Sequence, residues 1–113
     1  MPHFDVFYMK KEFFGDGIMG VEWCRKKGCL PNPRTLGDTH AYVKMLEAKN
    51  LGDVFLKMQA EYWSPNGEAC ELIAKANLTH TSMSVGDIIV TENGVVLMFD
   101  NHGFQELNDE KVS

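Results

Sequence analysis

The alternation of apolar and polar positions predicts a first strand over residues 4–9 (FDVFYM), a short run around Val6, Phe7 and Tyr8. A second strand is predicted over residues 40–48 (HAYVKMLEA). There Ala41, Val43 and Met45 alternate with Tyr42, Lys44 and Leu46. Immediately afterwards Leu51, Val54, Phe55 and Met58 fall at i, i+3, i+4 and i+7, the apolar stripe of a helix. Asn50 offers a cap for that helix, and Asp53 suits the free amides of its first turn. The helix is expected to stop near Glu61, before the turn residues Ser64-Pro65-Asn66-Gly67.

Residues 71–74 read as a short extended piece. Residues 87–91 and 95–99 are β-rich and joined around Asn93-Gly94, which predicts a type I′ hairpin turn with positive φ at both central positions. A last strand over residues 104–107 follows the Asn101-His102-Gly103 turn, and residues 108–113 read as a flexible polar tail. Residues 10–38 break every pattern. Glycines 15, 17, 20, 28 and 37, with Pro31 and Pro33, mark a long irregular insert with at most a brief helix near residues 21–26.

The expected whole is one α+β domain over residues 1–107, an antiparallel sheet of four to five strands with one main helix packed on one face. The helix stripe would bury Phe55 and Met58 against Ile88, Val90, Val95 and Leu97, each large side chain contributing roughly 1.5–3 kcal/mol. Val96 and Met98 then point the other way. Either the sheet is covered on both sides, or a partner covers one, a second copy of the chain included.

Composition narrows the function classes. The 44% hydrophobic and 24% charged content is ordinary for a globular domain. A net charge of −5 argues against general binding to a nucleic-acid backbone, and Arg25, Lys26 and Lys27 form the one cationic cluster. No apolar run approaches the roughly 20 residues that span a bilayer, and the first residues lack a secretory pattern. A cytoplasmic protein with Cys24, Cys29 and Cys70 reduced is therefore expected.

The segment His80-Thr-Ser-Met-Ser-Val-Gly-Asp87, the Asn93-Gly94 turn and the close Asp100-Asn-His-Gly-Phe104 together resemble the YodL-like family of small proteins from bacteria, phages and other mobile elements. The likeness covers roughly residues 40–107 and the opening Phe4 to Tyr8. It implies no activity, cofactor or catalytic residue. It is compatible with a small interaction module that binds a host protein.

Candidate binding residues follow from local chemistry. His80, Ser82, Ser84 and Asp87 gather an imidazole, two hydroxyls and a carboxylate within eight residues. They could converge on a phosphate or a base edge, or simply bond to neighbouring backbone. Trp63 beside Asn66 and Glu68 could stack on a flat ligand or anchor a partner, or fold back onto the sheet. Cys24-x4-Cys29 is wider than common zinc spacings and lacks a second compact pair, so no metal is expected. No Gly-x-Gly-x-x-Gly, Walker or Gly-x-Ser-x-Gly pattern appears, so no cofactor and no catalytic residue are expected. An interaction module is the first reading. A small-ligand or nucleic-acid-binding domain, built on the 80–87 box and the 63–68 loop, is the second.

Overall fold

The computed structural model describes residues 1–31 and 34–107, so the expected flexible tail lies outside the described residues. Five strands form one antiparallel sheet: β1 (His3–Met9), β2 (His40–Glu47), β3 (Ile88–Thr91), β4 (Val96–Asp100) and β5 (Gly103–Glu106), in the order β2-β1-β3-β4-β5. The mixed, antiparallel architecture is the one expected. Along β1 and β2 the register shifts between Val6 and Phe7, which pair with Lys44 and Tyr42 and leave Val43 as an extra residue on the outer strand.

The 88–100 hairpin forms, but not through the expected turn. The Gly94 amide donates to the Thr91 carbonyl and the Thr91 amide to the Val95 carbonyl, which gives a three-residue loop. Positive φ is confined there to Gly94, at 82°, and Asn93 does not share it. A left-handed glycine closing a three-residue loop is the next most common hairpin solution after the two-residue turns. Asn-Gly marked the right place, with the glycine alone carrying the strained conformation.

Helices differ more from expectation. The Asn50-capped helix is α4 (Leu51–Lys57), ending earlier than Glu61, with α5 (Ala60–Trp63) as a separate turn. The Asn50 side chain accepts from the Asp53 amide at 2.9 Å, and Asp53 returns the favour to the Lys49 amide at 3.0 Å. Residues expected as an extended piece instead form helix α6 (Cys70–Lys75). The insert expected to be irregular contains α1 (Lys11–Gly17), α2 (Val21–Lys27) and α3 (Leu36–Thr39), of which α2 is the brief helix expected near residues 21–26. Each helix is seven residues or shorter, so tertiary packing rather than intrinsic propensity holds it.

Because strand side chains alternate between faces, the two buried clusters belong to opposite sides of the sheet. On the first face Phe4, Val6, Tyr8, Val43 and Ile89 lie under Val54, Met58, Ala69 and Ile73 from α4 to α6. On the second, Met9, Ile88, Val96 and Met98 lie under Val21, Cys24 and Leu36 from the insert. Two expectations are thereby corrected. Met58 packs with Ile89 rather than with Ile88 and Val90, which face the other way, and Phe55 meets Phe99 with ring centroids 4.7 Å apart. The single helix on one face becomes a helical layer on each. Val96 and Met98 are buried by the chain's own insert.

Candidate functional site

Asp87 sits in the tight turn that starts β3, where its carboxylate is completely buried. Oδ1 accepts from the Met9 amide at 2.8 Å and Oδ2 from the Ser84 amide at 2.8 Å. His80 Nε2 completes the set at 2.9 Å from Oδ2 and 3.1 Å from Oδ1. One side chain therefore ties the end of β1, the 80–84 segment and the start of β3 to a single point. Burial pushes the Asp87 carboxyl above its ordinary range, while the His80 imidazole and the two amides pull the other way.

The His80 ring is held as tightly as its partner. It stacks on Tyr8 with centroids 4.6 Å apart and an interplanar angle of 17°, and Phe14 of α1 covers its other side at 4.5 Å. Nε2 faces the carboxylate, and Nδ1 is the ring nitrogen left over. That Nδ1 is buried and has no hydrogen-bond partner, the one such side-chain atom among the described residues. Chemically the pair is a carboxylate-oriented imidazole, an arrangement able to accept a proton or a ligand's donor at Nδ1.

Around this pair the other candidate residues divide. Trp63 is folded back: its indole N–H donates to the Thr81 carbonyl at 2.9 Å, and its ring meets Tyr8 edge-on at 6.4 Å. The Tyr8 hydroxyl donates to the same carbonyl at 2.6 Å. Burial and the Asp87 charge hold the Tyr8 phenol far above its usual range, so it serves as a donor. Ser82 Oγ accepts from the Ala60 amide at 2.8 Å, closing the first turn of α5, and Ser84 Oγ donates to the Ser82 carbonyl at 3.3 Å. Apart from Trp63, the candidate residues of the 63–68 loop bond within the loop itself. Glu68 accepts from the Asn66 amide at 2.9 Å and from its side chain at 3.2 Å, and that backbone bond first of all lowers its carboxyl pKa.

Three contributors escaped the sequence reading. Tyr8 and Phe14, which flank the imidazole, are ordinary members of apolar runs and carry no local mark of this use. His40 is buried beside them, with Nε2 donating to the Gly86 carbonyl at 2.7 Å and Nδ1 accepting from Thr39 Oγ1 at 2.7 Å. Burial lowers its pKa to about 4, with the nearby His80 and Lys10 adding to the effect. A single histidine at the first position of a strand carries no local mark of its burial.

The surface offers a second kind of feature. Beyond the reach of the insert, Tyr42 and Met45 stand on the outer strand β2, 51% and 48% exposed. Tyr42 leans edge-on against Phe7 at 5.4 Å, and its hydroxyl points to Asp5 at 3.5 Å. Phe7 and Tyr42 share the second face, so this corner continues the surface that the insert covers elsewhere. Among the described residues no group of three or more His, Cys, Asp or Glu side chains gathers as metal ligands would, and no helix is long and apolar enough to cross a membrane. Comparison of the chain with protein-family models, with curated proteins and with solved structures gives no match in any of the three.

Proposed function

We propose that the protein is a non-catalytic interaction module whose contact surface is the open corner of the second sheet face, centred on Tyr42 and Met45. The observation that carries this reading is the contrast in exposure. Trp63, Ser82, Asp87 and Nε2 of His80 bond inside the chain, whereas Tyr42 and Met45 are large and half-exposed, with Tyr42 against the partly buried Phe7. An aromatic and a methionine on a rigid strand are typical anchors for a protein partner. The YodL-like resemblance of the 80–107 region suggests that the partner is a bacterial protein, met in the setting of a phage or other mobile element.

The test is capture of proteins from a bacterial lysate by wild type and by the Tyr42→Arg/Met45→Lys double variant. Both positions are exposed, so the substitutions should change stability by no more than about 0.5 kcal/mol each. A protein retained by wild type and lost from the folded variant supports the reading. Equal retention by both, or nothing retained by wild type, overturns it.

The orphaned Nδ1 of His80 favours a second reading, a site for a small ligand or nucleotide that offers a donor to that nitrogen. Thermal unfolding with a panel of nucleotides and short oligonucleotides tests it. A ligand at 100 times its dissociation constant adds about 2.7 kcal/mol, and the effect should vanish in His80→Gln. The reading fails if no compound shifts the wild type.

A further inference from the structure

The two nearest cysteines meet at the end of α2 because of how that helix stops. Gly28 takes a left-handed φ of 75°; the Cys29 amide then reaches back to the Cys24 carbonyl at 3.0 Å and the Gly28 amide to the Arg25 carbonyl at 3.3 Å. This paired 6→1 and 5→2 closure brings the side chains three residues before and two after the cap together, usually as an apolar contact. Here both are cysteines. Cys24 is fully buried in the second-face cluster, and Cys29 packs against that cluster while remaining partly open to solvent. The Cys29 thiol is close enough to act on the Cys24 thiol, whose sulfur lies 3.5 Å from the Asp16 carbonyl oxygen.

We propose that Cys24 and Cys29 form a reversible dithiol site that closes to an intramolecular disulfide in the presence of a small-molecule disulfide such as oxidised glutathione. Residues joined by a direct backbone N–H···O bond have Cα atoms on the order of 5–6 Å apart, inside the span a disulfide requires. The Cys29 thiolate, the accessible one, attacks one sulfur of the small disulfide and expels a thiolate that takes a proton from water. The Cys24 sulfur then loses its proton and attacks the Cys29 sulfur, releasing the second small thiol. The protein gives up two hydrogens and two electrons, and one small disulfide becomes two thiols. Burial, reinforced by the Cys29 neighbour, raises the Cys24 thiol to about 12, so the second step is slow and closure takes minutes to hours. Cys70, exposed on α6 in the opposite helical layer, has no partner cysteine there and serves as an internal reference.

The test is incubation of the full chain in glutathione buffers of graded potential, followed by acid quench, alkylation under denaturing conditions and peptide mapping. The expected result is a Cys24–Cys29 linked peptide, an intact mass lower by two hydrogens, alkylation confined to Cys70, and full reversal by dithiothreitol. The native chain should close with an equilibrium constant at least about tenfold above that of the urea-unfolded chain, a difference near 30 mV in potential. Cys29→Ser should show no loss of hydrogens. Cys24→Ala should carry a persistent glutathione adduct at Cys29; if that variant does not fold, the Cys29→Ser arm and the native-to-unfolded ratio decide. Wild type that retains a glutathione adduct on Cys29 without closing, keeps both thiols alkylatable, or closes no better folded than unfolded overturns the proposal.

Discussion

The first and second faces of this sheet share the same strands yet are closed by different means. The first is sealed by α4 to α6, which follow β2 directly and bring Val54, Met58 and Ile73 down on Val6, Tyr8 and Ile89. The second is sealed by the insert between β1 and β2, whose three short helices cover Ile88, Val96 and Met98 but stop short of Tyr42 and Met45. Central strands buried on both sides need apolar residues on both faces, and residues 88–90 of β3 and 96–99 of β4 supply them. The outer strand β2 needs them on one side only. Function is therefore sought where the second layer ends, and the polar cluster around His80 is where the two layers are joined: Phe14 of the insert and Tyr8 of the first core clasp the same imidazole.

The largest expected effect comes from cutting that joint. Asp87→Ala leaves the His80 N–H and the Met9 and Ser84 amides buried without an acceptor, and should cost about 3–5 kcal/mol in urea unfolding. A loss below about 1 kcal/mol would show that the two layers do not depend on it. Next come paired deletions in the two cores. Met58 and Met98 are each fully buried, one per face, and replacement of either by alanine should cost about 2–5 kcal/mol. Equal costs make the insert a true second core. A much cheaper Met98→Ala would reduce it to a loose cover.

The last of these effects is pH-dependent and lies on His40. Its folded pKa is about 4 against 6.5 for the free side chain, so the unfolded chain takes up a proton first as pH falls. Its contribution is complete above pH 6.5 and is lost progressively down to pH 4, about 3 kcal/mol in all. Stability measured across that window should fall more steeply for wild type than for His40→Gln. Parallel curves would remove His40 as the cause.

How much of this was legible beforehand depends on how local each cause is. The Asn50 cap, the glycine of the 88–100 hairpin and the apolar run of β1 act through neighbours in the chain, and each could be read directly. Most of the insert could not, although the brief helix expected near residues 21–26 is α2 (Val21–Lys27). Its helices are four to seven residues long, shorter than the window over which a 3.6-residue period can be recognised. Cys70–Lys75, six residues long, was misread for the same reason. β3 faces the other way from expectation, with Ile89 rather than Ile88 and Val90 toward the helix, because a strand apolar on both sides carries no alternation to read; β4 faces as expected, with Leu97 opposite Ile89 and Val96 and Met98 in the second-face cluster. At the candidate site, Asp87 opening a strand was visible, but its bond to Met9 spans 78 positions and the Tyr8 bond to Thr81 spans 73. Ser84 followed the internal reading through the adjoining Ser82 carbonyl, whereas Ser82 bonds to the Ala60 amide 22 positions away, a partner no local pattern marks.

The extra residue at Val43 has a consequence for how the protein behaves in a crowded solution. A straight, flat border on a sheet is a template on which identical chains can stack into fibrils. Here the border kinks halfway, and the next residue, Lys44, carries a charge that a stacked copy would have to set against its own. Both features work against edge-to-edge stacking of identical chains along β2.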